Sequence, residues 1–471
     1  MSAAVMNGEV DLKVVPRGVV ALCSRLRERG HRAWIVGGCV RDLLRQATVA
    51  DWDVATSARP DQVKQAFRRV IPTGIQHGTV TVHLPEGDGG GSYEVTTLRG
   101  ETSYSDGRRP DAVVFVDDIV EDLARRDFTM NAIALDPVDG HVIDPFGGRA
   151  DLAAKVLRAV GVPAERFAED GLRVLRAARF VASLEVELEP ATAAAIRPAL
   201  DTYRKVSAER VRDEWMKALK ARQPSRAFDT MREHGLLEVS APELLPQVGC
   251  EQNKYHRYDV WGHAMACVDA CQGDAVLRLS ALLHDVGKPA SRAFSDKTQD
   301  YTFYDHERIG AEIADPLLAR LRFSNEERAR ITHLVKNHLV VYESSWSDAA
   351  VRRWVRRIGR ESLEDLYQLN EADIRGKDRD GEAALMPLVE LRARVGQILA
   401  QGDAIGTKDL VVKGGDLIED LGMKPGPRMG VLLDRLLDQV IEDPRLNTRD
   451  ALLDRARILL TELPEDVKRP R

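Results

Sequence analysis

Two aspartates one residue apart, Asp51 and Asp53, follow the run Gly37-Gly38-Cys39-Val40-Arg41-Asp42. Residues i and i+2 of a strand point to one face, so a strand through 51–55 would place both carboxylates side by side. That arrangement is costly without a cation, and a hard divalent ion with oxygen ligands, Mg²⁺, is the natural partner. A glycine turn lets a triphosphate approach the backbone, and the helix that follows favours anions at its N-terminus. Each feature alone is commonplace: Gly-Gly marks a turn, and Asp-x-Asp is usually solvated surface. In this order they suit nucleotidyl transfer, in which carboxylate-held metal ions activate a hydroxyl and neutralise a pyrophosphate leaving group.

Glu94, in Tyr93-Glu94-Val95-Thr96-Thr97, is the candidate third carboxylate on a neighbouring strand. In Arg125-Arg126-Asp127-Phe128-Thr129-Met130-Asn131, Arg126 could bind phosphate, Asp127 could hold it by a salt bridge, and Asn131 could contact a ribose. Further on, Asp170 and Arg173 fall three apart in a stretch of helical pattern, which makes their side chains neighbours. An Asp accepts from an exocyclic amino group and an Arg donates to a ring nitrogen. Cytosine and adenine share that edge pattern; guanine and uracil do not. Arg176 and Arg179 continue at three-residue steps and could face a triphosphate. On this segment alone, an ordinary surface ion pair worth a few tenths of a kcal/mol is the plainer account.

A second constellation comprises His263, His284-Asp285, His306, His338 and Asp373, all in apolar helical surroundings where an unpaired polar group is costly. Imidazole with carboxylate suits Mn, Fe, Ni, Co or Zn.

The elements that must position these residues follow from hydrophobic periodicity. Residues 1–155 mix strands (33–37, 51–55, 78–84, 92–98, 131–135, 141–143) with helices over 18–30 and 60–70, an α+β head around a mixed sheet. From 156 the strand signal nearly vanishes, and helices over 164–182, 190–200, 207–221 and 224–235 make a neck to residue 245. A helical body (246–404) and a short helical tail (405–471) complete the chain. With 471 residues, 44% hydrophobic and 30% charged, this is a multi-domain globular protein. The net charge of −6 neither suggests nor excludes nucleic acid, and local arginine clusters matter more. Aromatics are only 5%, which argues against base stacking on an aromatic platform. The five cysteines lack any Cys-x-x-Cys pair and read as reduced, buried thiols. With no signal peptide or long apolar run, a cytoplasmic location with no membrane partner is expected.

In the order GGCVRD (37–42), DWD (51–53), EVTTLR (94–99), RRDFTMNAIA (125–134), DPFGGRADL (144–152), EDGLRVLRAARF (169–180) and SAERVRDEWMKAL (207–219), the chain resembles class II CCA-adding tRNA nucleotidyltransferases and their bacterial poly(A) polymerase relatives. The resemblance is dense over about residues 30 to 240. It implies a nucleotidyltransferase head, neck, body and tail, and Mg²⁺-dependent addition of C, C and A to tRNA 3′ ends from CTP and ATP. Position by position, Asp51 and Asp53 would hold the metal, and Gly38, Arg41 and Arg126 would contact the triphosphate. Asp170 and Arg173 would read the base, with Arg176 and Arg179 nearby. The 102–116 loop resembles that of members adding the terminal A, so CC-only addition is disfavoured; a general poly(A) polymerase is the alternative. A signalling role, modifying and demodifying a protein partner, would call for a sensing module that the short tail lacks. The body resembles the HD phosphohydrolase superfamily. This implies His263, His284, Asp285 and Asp373 around a transition metal, with His306 and His338 completing a second position, for hydrolysis of phosphomonoesters or 2′,3′-cyclic phosphates. The tail could bind the tRNA elbow at Lys413–Asp416 and Pro425–Gly430. Monomer and homodimer both remain open.

Overall fold

The computed structural model describes residues 10, 12–100, 114–377 and 381–464. Most of the 102–116 loop lies outside them. The chain divides into two compact units, Met1–Leu245 with Arg320–Arg322 and Pro246–Ala319 with Phe323–Arg471.

In the first unit, seven strands form one sheet: β1 (Ala33–Val36), β2 (Asp53–Thr56), β3 (Val70–Gly74), β4 (Thr79–Leu84), β5 (Gly91–Thr97), β6 (Ala134–Leu135) and β7 (Val142–Ile143). Their order is β3-β4-β5-β2-β1-β6-β7. β2 and β5 run parallel and the other neighbours antiparallel, so the sheet is mixed. Alternation sorts side chains into two layers. Ile35, Val54, Val80 and Val95 pack with Val19, Leu22, Cys23 and Leu26, the apolar stripe of helix α1 (Arg17–Glu28). Trp34, Val36 and Ala55 pack on the other side with Leu98, Leu123 and Ala134. Each fully buried leucine there contributes about 1.5–3 kcal/mol.

The local pattern misplaced four features. Asp51 precedes β2 rather than lying in it, and is exposed. The segment 131–135 opens in a 3-10 turn, Thr129–Asn131, before β6. The expected 60–70 helix ends at Ala66, and β3 follows; its mostly exposed residues include Pro72, as suits a sheet edge that shows no alternation. The expected 164–182 helix is two, Pro163–Glu169 and Leu172–Ser183, broken at Asp170, which is extended at φ −142°. A Cβ on Gly171 would lie 2.5 Å from the Thr202 carbonyl, so only glycine fits this break. Helices Ala208–Ala218 and Ser225–Glu233 pack beyond it, with the Trp215 and Phe228 rings edge to face at 5.2 Å.

Among its described residues, the second unit is helical apart from a hairpin, Ala293–Ser295 with Asp300–Thr302, which the sequence pattern also missed. Its C-terminal part has its own core of Leu417, Leu432, Leu436, Val440, Leu452 and Ala456. Buried Arg352 ties helix Asp348–Ile358 to it, donating from Nε to the Ile441 carbonyl at 2.7 Å and from Nη1 to Asp403 at 2.8 Å. All five cysteines are free and buried. No described helix is long and apolar enough to cross a membrane.

Candidate active site and candidate metal centre

A cleft of about 820 Å³ in the first unit is lined by Gly38, Arg41, Asp51, Asp53, Glu94, Arg126, Asp170, Arg173, Arg176 and Arg179. Every head and neck residue singled out for metal or nucleotide thus meets at one place. The parallel pairing of β2 with β5 sets Asp53 directly beside Glu94, so their side chains share a face. Desolvation and the Glu94 charge raise the Asp53 carboxyl above its ordinary range, although the residue as a whole stays exposed. Asp51 adds a third carboxylate. This all-oxygen, like-charged donor set fits a hard divalent cation, which would relieve the repulsion.

Above the carboxylates, the arginines are held by acids. Arg41 makes a bidentate pair with Asp42 at 2.8 and 2.9 Å and donates from Nη1 to Asn131 Oδ1 at 2.7 Å. Helix α2 (Gly38–Leu44), which carries it, starts after Gly37 at φ +79°, where a Cβ would meet Arg126 Nη1 at 2.6 Å. Arg126 leans on Asp122 at 3.3 Å and donates to the Asn131 carbonyl at 3.4 Å, and its buried Nε has no hydrogen-bond partner among the described residues. One expectation fails here. Asp127 holds Arg176, at 2.7 Å, and not Arg126. Asn131 is held at both ends of its amide, by Arg41 and Asp127, which leaves one N–H and one oxygen lone pair free of these two bonds.

Asp170 and Arg173 do not pair with each other, which removes the surface ion-pair account. Asp170 accepts from Leu172 N at 2.9 Å and from Arg210 Nη2 at 2.7 Å. Arg173 donates to Glu169, the Arg166 carbonyl and the Arg125 carbonyl, at 2.6–2.9 Å. A guanidinium has five N–H donors, so a minority of its donors stay available to a base. Buried Glu214 receives Arg179 at 2.5 Å and lies 3.9 Å from Arg176. Sequence reading missed Arg210, Glu214 and Lys217, yet their 4- and 3-residue spacing on one helix was a usable sign of a charged face turned to a site.

Burial alone raises the pKa of Asp127, but Arg176 and the Asn131 amide outweigh it and hold it at about 2. A depressed carboxylate stabilises the fold above its unfolded pKa, about 3.9, and loses that contribution as pH falls towards 2. Asp127→Asn is therefore expected to lower stability by roughly 2 kcal/mol at neutral pH. In urea titrations the gap to wild type should close between about pH 4 and pH 2. A gap independent of pH over that window would contradict the assignment.

In the second unit, His263, His284, Asp285, His306, His338 and Asp373 are all buried and converge: His263, His306 and Asp373 lie on helices Val260–Ala270, His306–Arg320 and Leu363–Gly376, His284 and Asp285 in the turn after helix Ala275–Leu283, and His338 just past helix Asn325–Asn337. His263 Nε2 lies 3.0 Å from Asp373 and 3.3 Å from His284 Nε2; His284 Nε2 lies 3.1 Å from Asp285. His306 and His338 face each other through Nε2 at 3.3 Å, on the Oδ1 side of Asp285, at 3.4 and 3.6 Å. His284, His306 and His338 each set Nδ1 against a backbone carbonyl, of Ala281, Phe303 and Val335, at 2.6–2.7 Å. Since a carbonyl can only accept, each Nδ1 carries the proton and donates it in a hydrogen bond, and in the neutral ring the Nε2 lone pair is aimed inward, the pattern of metal-ligating imidazoles. Burial and the neighbouring His284 push His338 down to about 3, which keeps it neutral. Lys288 and Lys377, unnoticed in the sequence, border the cluster at 2.6 Å from Asp285 and 2.9 Å from Asp373. In the tail, Asp416 already caps the Lys413 N–H at 2.7 Å, so that group of the suggested RNA contact is engaged within the protein.

A mixed sheet presenting acids to an arginine-lined cleft defines the chain as a nucleotidyltransferase. Sequence models of known families agree: the Poly A polymerase head domain matches residues 33–158, the RNA and SrmB-binding site of polymerase A 185–247, and tRNA nucleotidyltransferase domain 2 303–456. The CCA-adding enzyme of Streptococcus pyogenes is 35% identical over 424 residues, 89% of this chain and 91% of that one. That of Lactobacillus johnsonii is 47% identical over 228 residues, 48% of this chain and 56% of its own. The crystal structure of Bacillus stearothermophilus CCA-adding enzyme in complex with CTP matches with a TM-score of 0.71 and 27% identity, covering 95% of this chain and 99% of that one. The chain belongs to the CCA-adding enzymes, a family of tRNA nucleotidyltransferases.

Proposed function

We propose that this enzyme adds CCA, or at least the terminal A, to tRNA 3′ ends from CTP and ATP without a nucleic-acid template. The observation that carries the reading is the in-register pair Asp53–Glu94 on the floor of the cleft that also holds Asp170 and Arg173. The S. pyogenes relative bears the name of this activity, and the B. stearothermophilus structure holds CTP. Asp51, Asp53 and Glu94 would hold Mg²⁺, which when bound would supply the charge that activates the RNA hydroxyl and neutralises the pyrophosphate. The protein does the rest by position. Arg41 and Arg126 receive the triphosphate beside the Gly37 turn. Asp127 and Glu214 fix Arg176 and Arg179 against it, and Asp170 with Arg173 meets the pairing edge of the base. Chelation is the simple test. With EDTA, extension of a tRNA lacking its CCA end should stop, and Mg²⁺ should restore it; extension persisting under EDTA would overturn the metal assignment.

A second activity is favoured by the body cluster. His263, His284, Asp285, His306, His338 and Asp373 fit a divalent transition metal, which when bound supplies hydrolytic power towards a phosphomonoester or 2′,3′-cyclic phosphate. Lys288 and Lys377 could receive the phosphate charge. His284→Ala should lose metal-dependent hydrolysis and keep CCA addition, because the two sites share no residue. If no hydrolysis occurs with Mn, Ni, Co, Fe or Zn added to the wild type, the body is a scaffold only.

A further inference from the structure

Strand Asp300–Thr302 of the hairpin and the residues after it line a cavity of about 300 Å³, at the small end of the range for small-molecule sites. Two kinds of residue meet there. Buried Asp285, His306, His338 and Asp373 come from the candidate metal centre, with Lys288 and Lys377 beside them. The others are aromatic: Tyr301, Phe303 and Tyr304, three within four residues in a chain that is only 5% aromatic.

Two of these rings are braced within the protein. The Arg292 guanidinium lies 3.7 Å from the centroid of Tyr301, with Phe294 edge-on at 5.7 Å, and the Lys288 ammonium lies 5.6 Å from the centroid of Phe303. Tyr304 differs. It is 79% exposed, and its side chain makes no hydrogen bond or ring contact with any described residue. The backbone fixes its place nonetheless. Asp305, next in the chain, is left-handed at φ +59°, a conformation uncommon outside glycine and better tolerated by Asp. His306 then opens helix His306–Arg320, so the lone ring stands two residues from a histidine of the metal centre.

The polar groups of the cavity keep capacity for a ligand. Lys288 Nζ reaches Gln252 Oε1 and Asp285, each at 2.6 Å, and Lys377 Nζ reaches Asp373 at 2.9 Å. An ammonium has three N–H donors, so each lysine keeps at least one for a phosphate. His256, on the same cavity, donates from Nδ1 to Asn253 Oδ1 at 2.9 Å, and its buried Nε2 has no hydrogen-bond partner among the described residues. In the neutral ring that nitrogen only accepts, which suits a hydroxyl and not a phosphate. Cations, an acceptor for a hydroxyl and an open aromatic face match the phosphate, sugar and base of a nucleotide. A sugar phosphate would leave the aromatic face unused.

We propose that Tyr304 is the nucleobase platform of the body site, making that site specific for nucleotides and RNA ends over simple phosphate esters. The inference rests on the reading of the body as a phosphohydrolase, and adds what selects its substrate. Stacking tolerates any base, because every base has a π-face, and its strength should favour adenine over cytosine.

Fluorine resonance tests the platform without relying on turnover. In the full chain carrying 3-fluorotyrosine, the Tyr304 signal is assigned by its loss in Tyr304→Phe. It reports on the body alone, whatever the head binds. Adenosine 3′-monophosphate, with no metal added, should shift that signal, and ribose 5-phosphate should shift it much less. In hydrolysis of adenosine 2′,3′-cyclic phosphate with a transition metal added, Tyr304→Ala should raise KM about tenfold with kcat nearly unchanged. Tyr304→Phe, which keeps the ring, should keep the wild-type KM. A signal unmoved by the nucleotide, or moved equally by ribose 5-phosphate, would overturn the platform while leaving the hydrolase reading standing, as would an unchanged KM in Tyr304→Ala. A shift with the nucleotide alone, and no hydrolysis with any metal, would uphold the platform and end the hydrolase reading.

Discussion

Asp53→Ala should lower the rate of nucleotide addition by more than a thousandfold, roughly 4 kcal/mol or more of transition-state stabilisation, with tRNA binding nearly unchanged. The size of the effect follows from the geometry. Asp53 begins β2 and is paired in register with Glu94, so it is the carboxylate fixed by the sheet. Its repulsion with Glu94 and Asp51 is offset only in part by Arg126, and a bound cation would offset the rest, so its removal should take away both a ligand and much of the site's affinity. Asp51→Ala should be similarly damaging, though Asp51 sits in the coil before the strand. Asp53→Asn separates charge from shape, since it keeps the volume and loses the anion; it should fail nearly as badly. If either alanine variant kept a rate within about tenfold of normal, a loss of only about 1.4 kcal/mol, the metal would have to be held elsewhere.

Asp170→Ala should loosen the choice of base. Asp170 is extended between two helices, anchored by the Leu172 N–H and Arg210, and faces the cleft with acceptor capacity to spare. That capacity suits the exocyclic amino group common to cytosine and adenine. Losing one hydrogen bond from a charged group costs about 1.5–3 kcal/mol, which is roughly 10- to 150-fold in discrimination against UTP or GTP. Arg173→Ala should slow addition of both C and A instead, because it also releases Glu169 and two backbone carbonyls from the donor they share. Misincorporation assays with single nucleotides on tRNA ending in -CC separate these outcomes. An Asp170→Ala enzyme as strict and as fast as wild type would show that the carboxylate serves only to cap its helix and hold Arg210.

How much of this was legible without coordinates differs from element to element. The mixed sheet showed itself where strands alternate, as in Thr79–Leu84, and the exposed edge strand Val70–Gly74 escaped because nothing on it alternates. The site residues were legible by type, and their convergence in one cleft follows from topology. Asp53 meets Glu94 only because β5 crosses back to run parallel to β2. What could not be read was the pairing among charges. Asp127 seemed made for its neighbour Arg126, yet the chain turns Arg126 towards Asp122 and gives Asp127 to Arg176, 49 residues away. Likewise Asp170 and Arg173 look like an i,i+3 pair until the break at Gly171, enforced by the Thr202 backbone, turns them to different partners. Such pairings depend on tertiary approach, which local spacing does not encode. The body cluster was visible because histidines are conspicuous in apolar helices, and the cysteines are the free, buried thiols that their spacing suggested.

The central claim is tested most directly by offering the purified chain one nucleoside triphosphate at a time on three tRNAs, ending at the discriminator base, in -C and in -CC. The account predicts that CTP alone extends the first two and stops at -CC, that ATP alone extends the third by one residue, and that UTP and GTP extend none. Runs of A on all three ends, and on unrelated RNA, would contradict it and mark the chain as a poly(A) polymerase.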